Sequence, residues 1–182
     1  SSLEKVTIPN TVTTWHGTDQ FKNVKEGIRV HFLGTLSEWF QLLAIRYQTN
    51  EYSIPYNTNA YFSLGDNRPL DLIIPDDVTT IPANAFYRCK NSFNIIHIGD
   101  HVTSIGGYAF YQCQYAKSLY LGTGITTIPQ YCFWNINGWK EVTIPNNVKS
   151  IAQYAFRANY YTKKIDIGTG ITEIAKEAFG KN

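Results

Sequence analysis

The chain has 182 residues, of which 43% are hydrophobic and 16% are charged, a composition that is typical of a globular protein and excludes a disordered one. The formal net charge of +2 is too small to indicate a nucleic-acid or membrane-surface partner. No apolar run approaches the ~20 residues of a membrane-spanning helix, so we expect no membrane insertion.

The N-terminal residues carry a degraded copy of a pattern that recurs later in the chain. Val6 and Ile8 are separated by one residue, as in a strand, and Val12 follows in the next apolar position of the pattern. Residues 1–27 are therefore predicted to be a degraded N-terminal repeat. They lack the apolar region of a signal peptide, and the chain contains no Met, so we expect a processed or excised piece of a longer protein.

Residues 28–67 do not keep the repeat period and are predicted to be an irregular insert of strand, helix and hairpin. The predicted strand spans residues 28–32. Thr35 and Glu38 then form a capping-box pattern, which predicts a helix that ends near Ala44.

The end of the insert is predicted to be a β-hairpin that leads into the regular repeats. An aromatic and apolar segment at 61–64 is followed by the turn sequence Gly-Asp-Asn at 65–67 and by a second extended segment at 68–74. The insert is too short and too poor in apolar residues to have a core of its own. We therefore predict a single domain over residues 1–182.

Residues 68–182 repeat one pattern five times, and the apolar residue that ends the first strand of each copy recurs at spacings of 24, 23, 23 and 23 residues. An isoleucine follows seven positions later and a phenylalanine twelve positions later in every copy. Five copies of such a pattern indicate a repeat protein. The three series are Ile74, Ile98, Leu121, Ile144 and Ile167; Ile81, Ile105, Ile128, Ile151 and Ile174; and Phe86, Phe110, Phe133, Phe156 and Phe179.

Each repeat is predicted to be one turn of a right-handed solenoid. A short strand such as Leu119–Leu121 is stopped by Pro or Gly, and a second extended piece such as Val102–Ile105 follows. The phrase that ends in Phe110 and its equivalents predicts one helical or 3₁₀ turn, with the ring in the interior. Because one turn cannot cover both of its own faces, we expect successive turns to stack with parallel, in-register strands.

The repeat phrases "LIIPDDVTTIPANAFYRC" and "IHIGDHVTSIGGYAFYQC" resemble the BspA-like class of leucine-rich repeats. The resemblance covers residues 1–12 and 68–182, and the phrase "GTLSEWFQL" before a hairpin is similar to an irregular unit of that class. It implies a leucine-rich-repeat solenoid from a bacterial or protist protein that is secreted or displayed on the cell surface. Such arrays are associated with adhesion to host proteins, other cells or matrix. The family has no catalytic residues to carry over, and Cys132 departs from the pattern by standing where the other copies have alanine.

The cysteines and histidines are the first candidates for chemistry. Cys89 and Cys113 occupy the same position of adjacent turns, so their distance permits a disulfide, but in-register side chains point in parallel and disfavour its geometry. We expect both, and Cys132, to be inert core thiols. His97 and His101 do not share a helical face as a zinc pair requires, so we expect solvated surface residues. The sequence has no catalytic, metal or cofactor motif, and we expect neither an enzyme nor a bound cofactor.

Aromatic residues recur two positions before and one position after the repeat phenylalanine. Stacked repeats convert them into ladders, and self-stacking that shields the edge of the solenoid is sufficient to explain them. The alternative is a partner-binding surface, because Tyr and Trp are favoured at binding hot spots. The candidate binding residues of these ladders are Tyr108, Tyr131, Tyr154 and Trp134.

The outward positions of the main strands form a second candidate surface. Ile73, His97 and Tyr120 are predicted to lie in one row with Thr143 and Asp166, and Ile95 lies in the row beside it. Exposed apolar residues in such a row can mark an interaction site. The alternative is that the insert folds over the upper part of this row and buries it.

Together these features predict a non-catalytic binding or adhesion module that recognises a protein or glycan partner. The alternative is a rigid spacer that presents another domain of a longer chain. Neither end of the array has the polar cap that solenoids usually require. We therefore expect further repeats, or an end-to-end or edge dimer contact.

Overall fold

Short apolar and β-branched segments alternate with turn residues, and in the computed structural model these segments are strands. The structure describes residues 5–13, 29–40, 61–63, 70–89 and 93–182. The strands in these ranges are β1 (Lys5–Ile8), β2 (Arg29–Phe32), β3 (Tyr61–Ser63), β4 (Leu70–Ile73), β5 (Thr80–Ile81), β6 (Phe93–Ile98), β7 (Ser104–Ile105), β8 (Ser118–Leu121), β9 (Thr127–Ile128), β10 (Glu141–Ile144), β11 (Ser150–Ile151), β12 (Lys164–Ile167) and β13 (Glu173–Ile174).

Equivalent strands of successive turns pair in parallel and in register. The longer strands form the sheets β1–β2–β3, β4–β6–β8 and β10–β12, and the short strands form β5–β7 and β9–β11–β13. Ile96 lies opposite Leu119, for example, and Ile128 lies opposite Ile151. The predicted solenoid of stacked parallel turns is therefore confirmed.

A β-bulge absorbs the single 24-residue spacing in the array. Leu70 pairs with Phe93, whereas Asp71 pairs with Ile95, so Asn94 is the extra residue. The side-chain amide of Asn94 donates a hydrogen bond to Oδ1 of Asp71 at 3.0 Å. The longer repeat thus keeps its apolar residues in register with those of its neighbours.

A column of phenylalanine rings forms the centre of the core. The five repeat phenylalanines stack with ring centroids between 5.2 and 5.6 Å apart, and the first four are 0% exposed. Each buried ring contributes roughly 1.5–3 kcal/mol relative to an exposed one. The column is Phe86, Phe110, Phe133, Phe156 and Phe179.

The residues before and after each phenylalanine form consecutive β-turns, whereas the sequence predicts a helical or 3₁₀ turn there. The amides of Ala109, Tyr111 and Cys113 donate to the carbonyl three residues before each of them, but the amides of Phe110 and Gln112 donate to the next turn of the solenoid. Tyr108 and Gln112 have φ angles of 59° and 58°, which a helix excludes. The demand for hydrogen bonds between turns therefore overrides helix formation.

Asx and glycine residues alternate in the turns that follow the longer strands. Oδ1 of Asp100 accepts the amide of Thr123 at 2.7 Å, and Oδ1 of Asn146 accepts the amide of Thr169 at 2.9 Å. A Cβ at Gly124 would collide with the carbonyl oxygen of Asp100. The Gly-Thr-Gly turns thus fit closely against the Asx turns before them.

The insert packs its described helix against the first regular turn. Helical residues begin at Leu36 and extend over 36–40 of the described part. The predicted capping box is present, since the amide of Thr35 donates to Oε2 of Glu38 at 2.7 Å and the amide of Glu38 donates to Oγ1 of Thr35 at 3.2 Å. Phe40 then contacts Phe86 with ring centroids 5.6 Å apart. The rest of the predicted helix, to Ala44, lies outside the described residues.

The predicted β-hairpin is wrong. β3 pairs in parallel with β2, with residue 62 opposite residue 30, and β4 pairs with β6. The turn at 65–67 lies outside the described residues. Both strands of the predicted hairpin therefore pair in parallel with equivalent strands of other turns. This pairing satisfies the backbone N–H and C=O groups along the edges of the strands.

Candidate functional site

The outward row of the longer strands is a continuous exposed surface. Ile73 pairs with His97, and His97 pairs with Tyr120, in the parallel register of β4, β6 and β8. Ile73 is 63% and Tyr120 is 55% exposed, because the strand pleat points these residues away from the core. The structure thus brings three predicted site residues together, while the fourth, Ile95, is half-buried beside them.

The part of this surface nearer the C-terminus contains a groove where the sheet is interrupted. Within the continuously described range 93–182, β8 and β10 form no ladder, although each pairs with its other neighbour. Two adjoining depressions of about 440 and 500 Å³ lie here, and both are lined by Thr143 and Pro145. Tyr120 and Glu141 line the first depression and Asp166 the second.

The side chains beneath the groove differ between the two turns that border it. Trp139 is fully buried and lies three residues before Val142, the first buried residue of β10. Ala116 is also buried and lies three residues before Leu119, the equivalent residue of β8. The indole of Trp139 packs against Phe133 with ring centroids 6.0 Å apart. The two turns that border the missing ladder therefore carry buried residues of very different volume at this position.

The charges around the groove are mostly acidic. Nζ of Lys164 lies 2.8 Å from Oδ2 of Asp166, and both side chains are more than half exposed. The hydrogen bond and charge of Asp166, with a smaller contribution from Glu141, raise the pKa of Lys164 above its ordinary value. Two carboxylates therefore share one ammonium group at this end of the sheet.

Two aromatic ladders cover another edge of the solenoid. Tyr111 lies between Tyr87 and Trp134, with centroid distances of 4.7 and 4.6 Å and nearly parallel rings. The second ladder is Tyr108, Tyr131 and Tyr154, with centroid distances of 4.6 and 4.8 Å. All six rings are partly buried, and each ring inside a ladder has a neighbour on both faces.

Charged side chains close the lower end of these ladders. The guanidinium of Arg157 lies 4.8 Å from the centroid of Tyr154 and forms an ion pair with Glu177. Because the ring faces contact one another, the faces of the inner rings are not open to a planar ligand. That geometry favours self-stacking over a surface on which a planar ligand stacks.

The three cysteines lie in the core without a disulfide. The thiol of Cys113 donates to the carbonyl of Phe86, and Nδ2 of Asn159 donates in the same way to the carbonyl of Phe133. Burial raises the pKa of Cys113 and of Cys132 well above the ordinary value of a thiol. These thiols therefore have the character of inert core residues.

Of the histidines whose side chains the structure describes, His97 and His101 do not converge on a metal site. His97 is exposed as predicted, with its ring centroid 5.6 Å from that of Tyr120. His101 is not a fully solvated residue as expected, because its side chain is only 22% exposed and Nδ1 lies 3.2 Å from Oδ1 of Asp76. Among the described residues, no group of three or more His, Cys, Asp or Glu side chains could hold a metal ion.

Sequence reasoning missed three exposed tyrosines on the loops that precede the longer strands. Tyr115, Tyr160 and Tyr161 are 59%, 60% and 69% exposed. The amide of Tyr160 donates to Oδ1 of Asn137 in the turn above at 3.0 Å. Their slot has no consistent residue type between repeats, so the periodic pattern gives no signal for them.

Comparisons with known proteins agree with the geometry of the array. A family model described as a BspA type leucine rich repeat region matches residues 65–182 in six copies. A leucine-rich repeat protein from Bacteroides ovatus has a similar structure, with a TM-score of 0.63 and 20% sequence identity over 98% of this chain. The chain spans 41% of that protein.

A leucine rich cell surface protein from Faecalibacterium prausnitzii is also similar, with a TM-score of 0.42 and 17% identity over 91% of this chain and 60% of the other. No curated protein matches the chain. The described helical residues include no segment of the length and apolarity needed to cross a membrane.

Proposed function

Because the chain belongs to the BspA-type leucine-rich repeat family, we propose that it is a non-catalytic binding or adhesion module of a secreted or cell-surface protein. Its partner is a protein or a glycan, bound on the outward face of the longer strands. The observation that carries this proposal is the exposed row of Ile73, His97 and Tyr120 on a rigid sheet.

The chemistry of this row supports binding over catalysis. It combines an aliphatic, an imidazole and a phenol side chain, and the Tyr120 ring has the amphipathic character that is favoured at interfaces. The Oγ of Ser37 donates to Oδ2 of Asp77 at 2.7 Å, but this hydroxyl–carboxylate pair is exposed to solvent. The pair of Asp76 and His101 has a fully exposed carboxylate, which is poorly placed to activate a substrate.

A binding screen against purified extracellular-matrix proteins, host cell-surface proteins and glycans tests this proposal. The variant Ile73→Ser, His97→Ser, Tyr120→Ser should lose most of the affinity for a ligand found in the screen. The matched control is Tyr115→Ser, Tyr160→Ser, Tyr161→Ser, which removes equally exposed side chains from another surface. Loss of affinity in the control alone would place the partner on the loop tyrosines and contradict the proposal for the sheet face.

A rigid spacer is a second candidate function, and the continuous phenylalanine column favours it. Stacked rings and in-register strands couple each turn to the next, so bending the array would break packing at several levels. A spacer should bind nothing in the screen. It should also give a single elongated shape in small-angle X-ray scattering, unchanged by the triple substitution on the sheet face.

A further inference from the structure

We propose that the groove bordered by Tyr120, Thr143 and Asp166 is a subsite for a neutral, β-linked hexopyranose oligosaccharide. This inference rests on the proposed function, because it names the partner class for the lower part of the same sheet face.

Tyr120 supplies the aromatic wall of the groove. Its ring lies 5.6 Å from that of His97 on one side, at an interplanar angle of 46°, and it stays 55% exposed. On the other side, the outward row continues with Thr143, whose small side chain leaves room beside the ring. An exposed phenol face attracts the C–H groups of a pyranose ring through its negative quadrupole. Sugars with equatorial substituents present such C–H groups on both faces.

Asp166 and Glu141 supply the polar side of the groove. Carboxylates accept charge-assisted hydrogen bonds from sugar hydroxyls, and the ion pair with Lys164, at 2.8 Å, restrains the carboxylate of Asp166. Two negative charges against one positive charge make the groove unfavourable for sialylated or sulfated sugars. The charge of the groove therefore disfavours an anionic ligand.

The interruption between β8 and β10 adds backbone hydrogen-bonding groups. The residues of the two strands that face each other have N–H and C=O groups that no ladder between these strands uses. Hydroxyl groups both donate and accept, so they can satisfy either kind of backbone group.

The dimensions of the groove favour a sugar over a peptide strand. A strand inserted between two others needs roughly twice the 4.8 Å strand spacing, whereas β8 and β10 remain close neighbours. The two depressions, of about 440 and 500 Å³, fall within the range of roughly 300–1,000 Å³ that is typical of small-molecule sites. Because they share Thr143 and Pro145, one short oligosaccharide can span both.

Titration of the ¹⁵N-labelled chain with cellotetraose and with chitotetraose tests the inference by NMR. We expect chemical-shift changes at the amides of residues 118–121, 141–144 and 166–168. Tyr120→Ala should weaken the affinity about tenfold, which corresponds to about 1.4 kcal/mol. Tyr115→Ala removes an equally exposed ring outside the groove and should leave the affinity unchanged. A sialylated lactose should bind more weakly than either neutral sugar.

Three outcomes would overturn the inference: no shifts with either neutral sugar at millimolar concentration, shifts that map elsewhere, or undiminished affinity in Tyr120→Ala. Tighter binding of the sialylated sugar would overturn it as well. The proposed function is tested by a separate result. A protein ligand that is lost on replacing Ile73, His97 and Tyr120 would support a binding module even when no sugar binds.

Discussion

The thiol of Cys113 donates a hydrogen bond to the carbonyl of Phe86 at 3.1 Å, across one turn of the solenoid. Asn159 occupies the same slot two turns later and makes the equivalent bond, from Nδ2 to the carbonyl of Phe133, also at 3.1 Å. Asn159 makes two further bonds: Nδ2 donates to Phe156 O, and Oδ1 accepts the amide of Ile136. Cysteine and asparagine are therefore interchangeable in one role but unequal in the number of backbone groups that they satisfy.

This inequality predicts different costs for truncating the two side chains. Asn159→Ala leaves an amide and two carbonyls in the core without their side-chain partner and should lower the free energy of unfolding by about 3 kcal/mol. Cys113→Ala removes one weaker bond and a small buried volume, so we expect about 1–2 kcal/mol. Urea unfolding of both variants measures the difference. Equal losses of stability would contradict the conclusion that Asn159 satisfies more backbone groups than Cys113.

The buried thiols predict a loss of stability in alkali. Burial raises the pKa of Cys113 and of Cys132 in the folded state, whereas an unfolded thiol ionises near its ordinary value of about 8.5. A raised folded pKa contributes stability that is fully present below the unfolded value and is lost as the pH rises towards the folded value. The free energy of unfolding should therefore fall above pH ~8.5. The control, Cys113→Ala with Cys132→Ala, should show a shallower decline over the same range, and an identical decline would refute the thiol origin.

The stacked turns can be predicted from the sequence because the repeat pattern indicates which residues face the core. Phe110 and Ile105 recur at fixed intervals in every copy, and a periodic signal of this strength leaves one arrangement that buries all copies. The hairpin prediction is wrong because the turn residues at 65–67 are a local signal, whereas the pairing of β3 with β2 depends on the stacking of whole turns.

The groove was not predictable from the repeat pattern. The strand residues Leu119 and Val142 are of the same type in equivalent slots, so the pattern gives no reason for a broken ladder between them. The turns that border the groove differ in volume at Ala116 and Trp139, a position that varies between repeats. Sequence identified Tyr120 as exposed, but the space beside it is a property of the assembled sheet.

The position of Gly124 has no room for a Cβ atom. A Cβ there would collide with the carbonyl oxygens of Asp100 and Val102 in the turn above. Gly124→Ala should therefore lower the free energy of unfolding by roughly 2 kcal/mol or more. Gly107→Ala is the matched control, since a Cβ at Gly107 would lie 3.3 Å from the carbonyl oxygen of Gln130. Similar losses in the two variants would contradict the close fit of the Gly-Thr-Gly turn.

We expect the contribution of Asp100 to the free energy of unfolding to depend on pH in the acidic range. Its hydrogen bonds with Thr123, helped by the charge of His101, lower the pKa of its carboxyl group. A lowered folded pKa contributes stability that is present above the unfolded pKa and is lost as the pH falls through the folded value. Asp100→Asn keeps the acceptor, as Asn146 does for Thr169, so its stability should vary less with pH in acid. Thermal unfolding of both proteins across the acidic range checks this, and parallel pH profiles would contradict it.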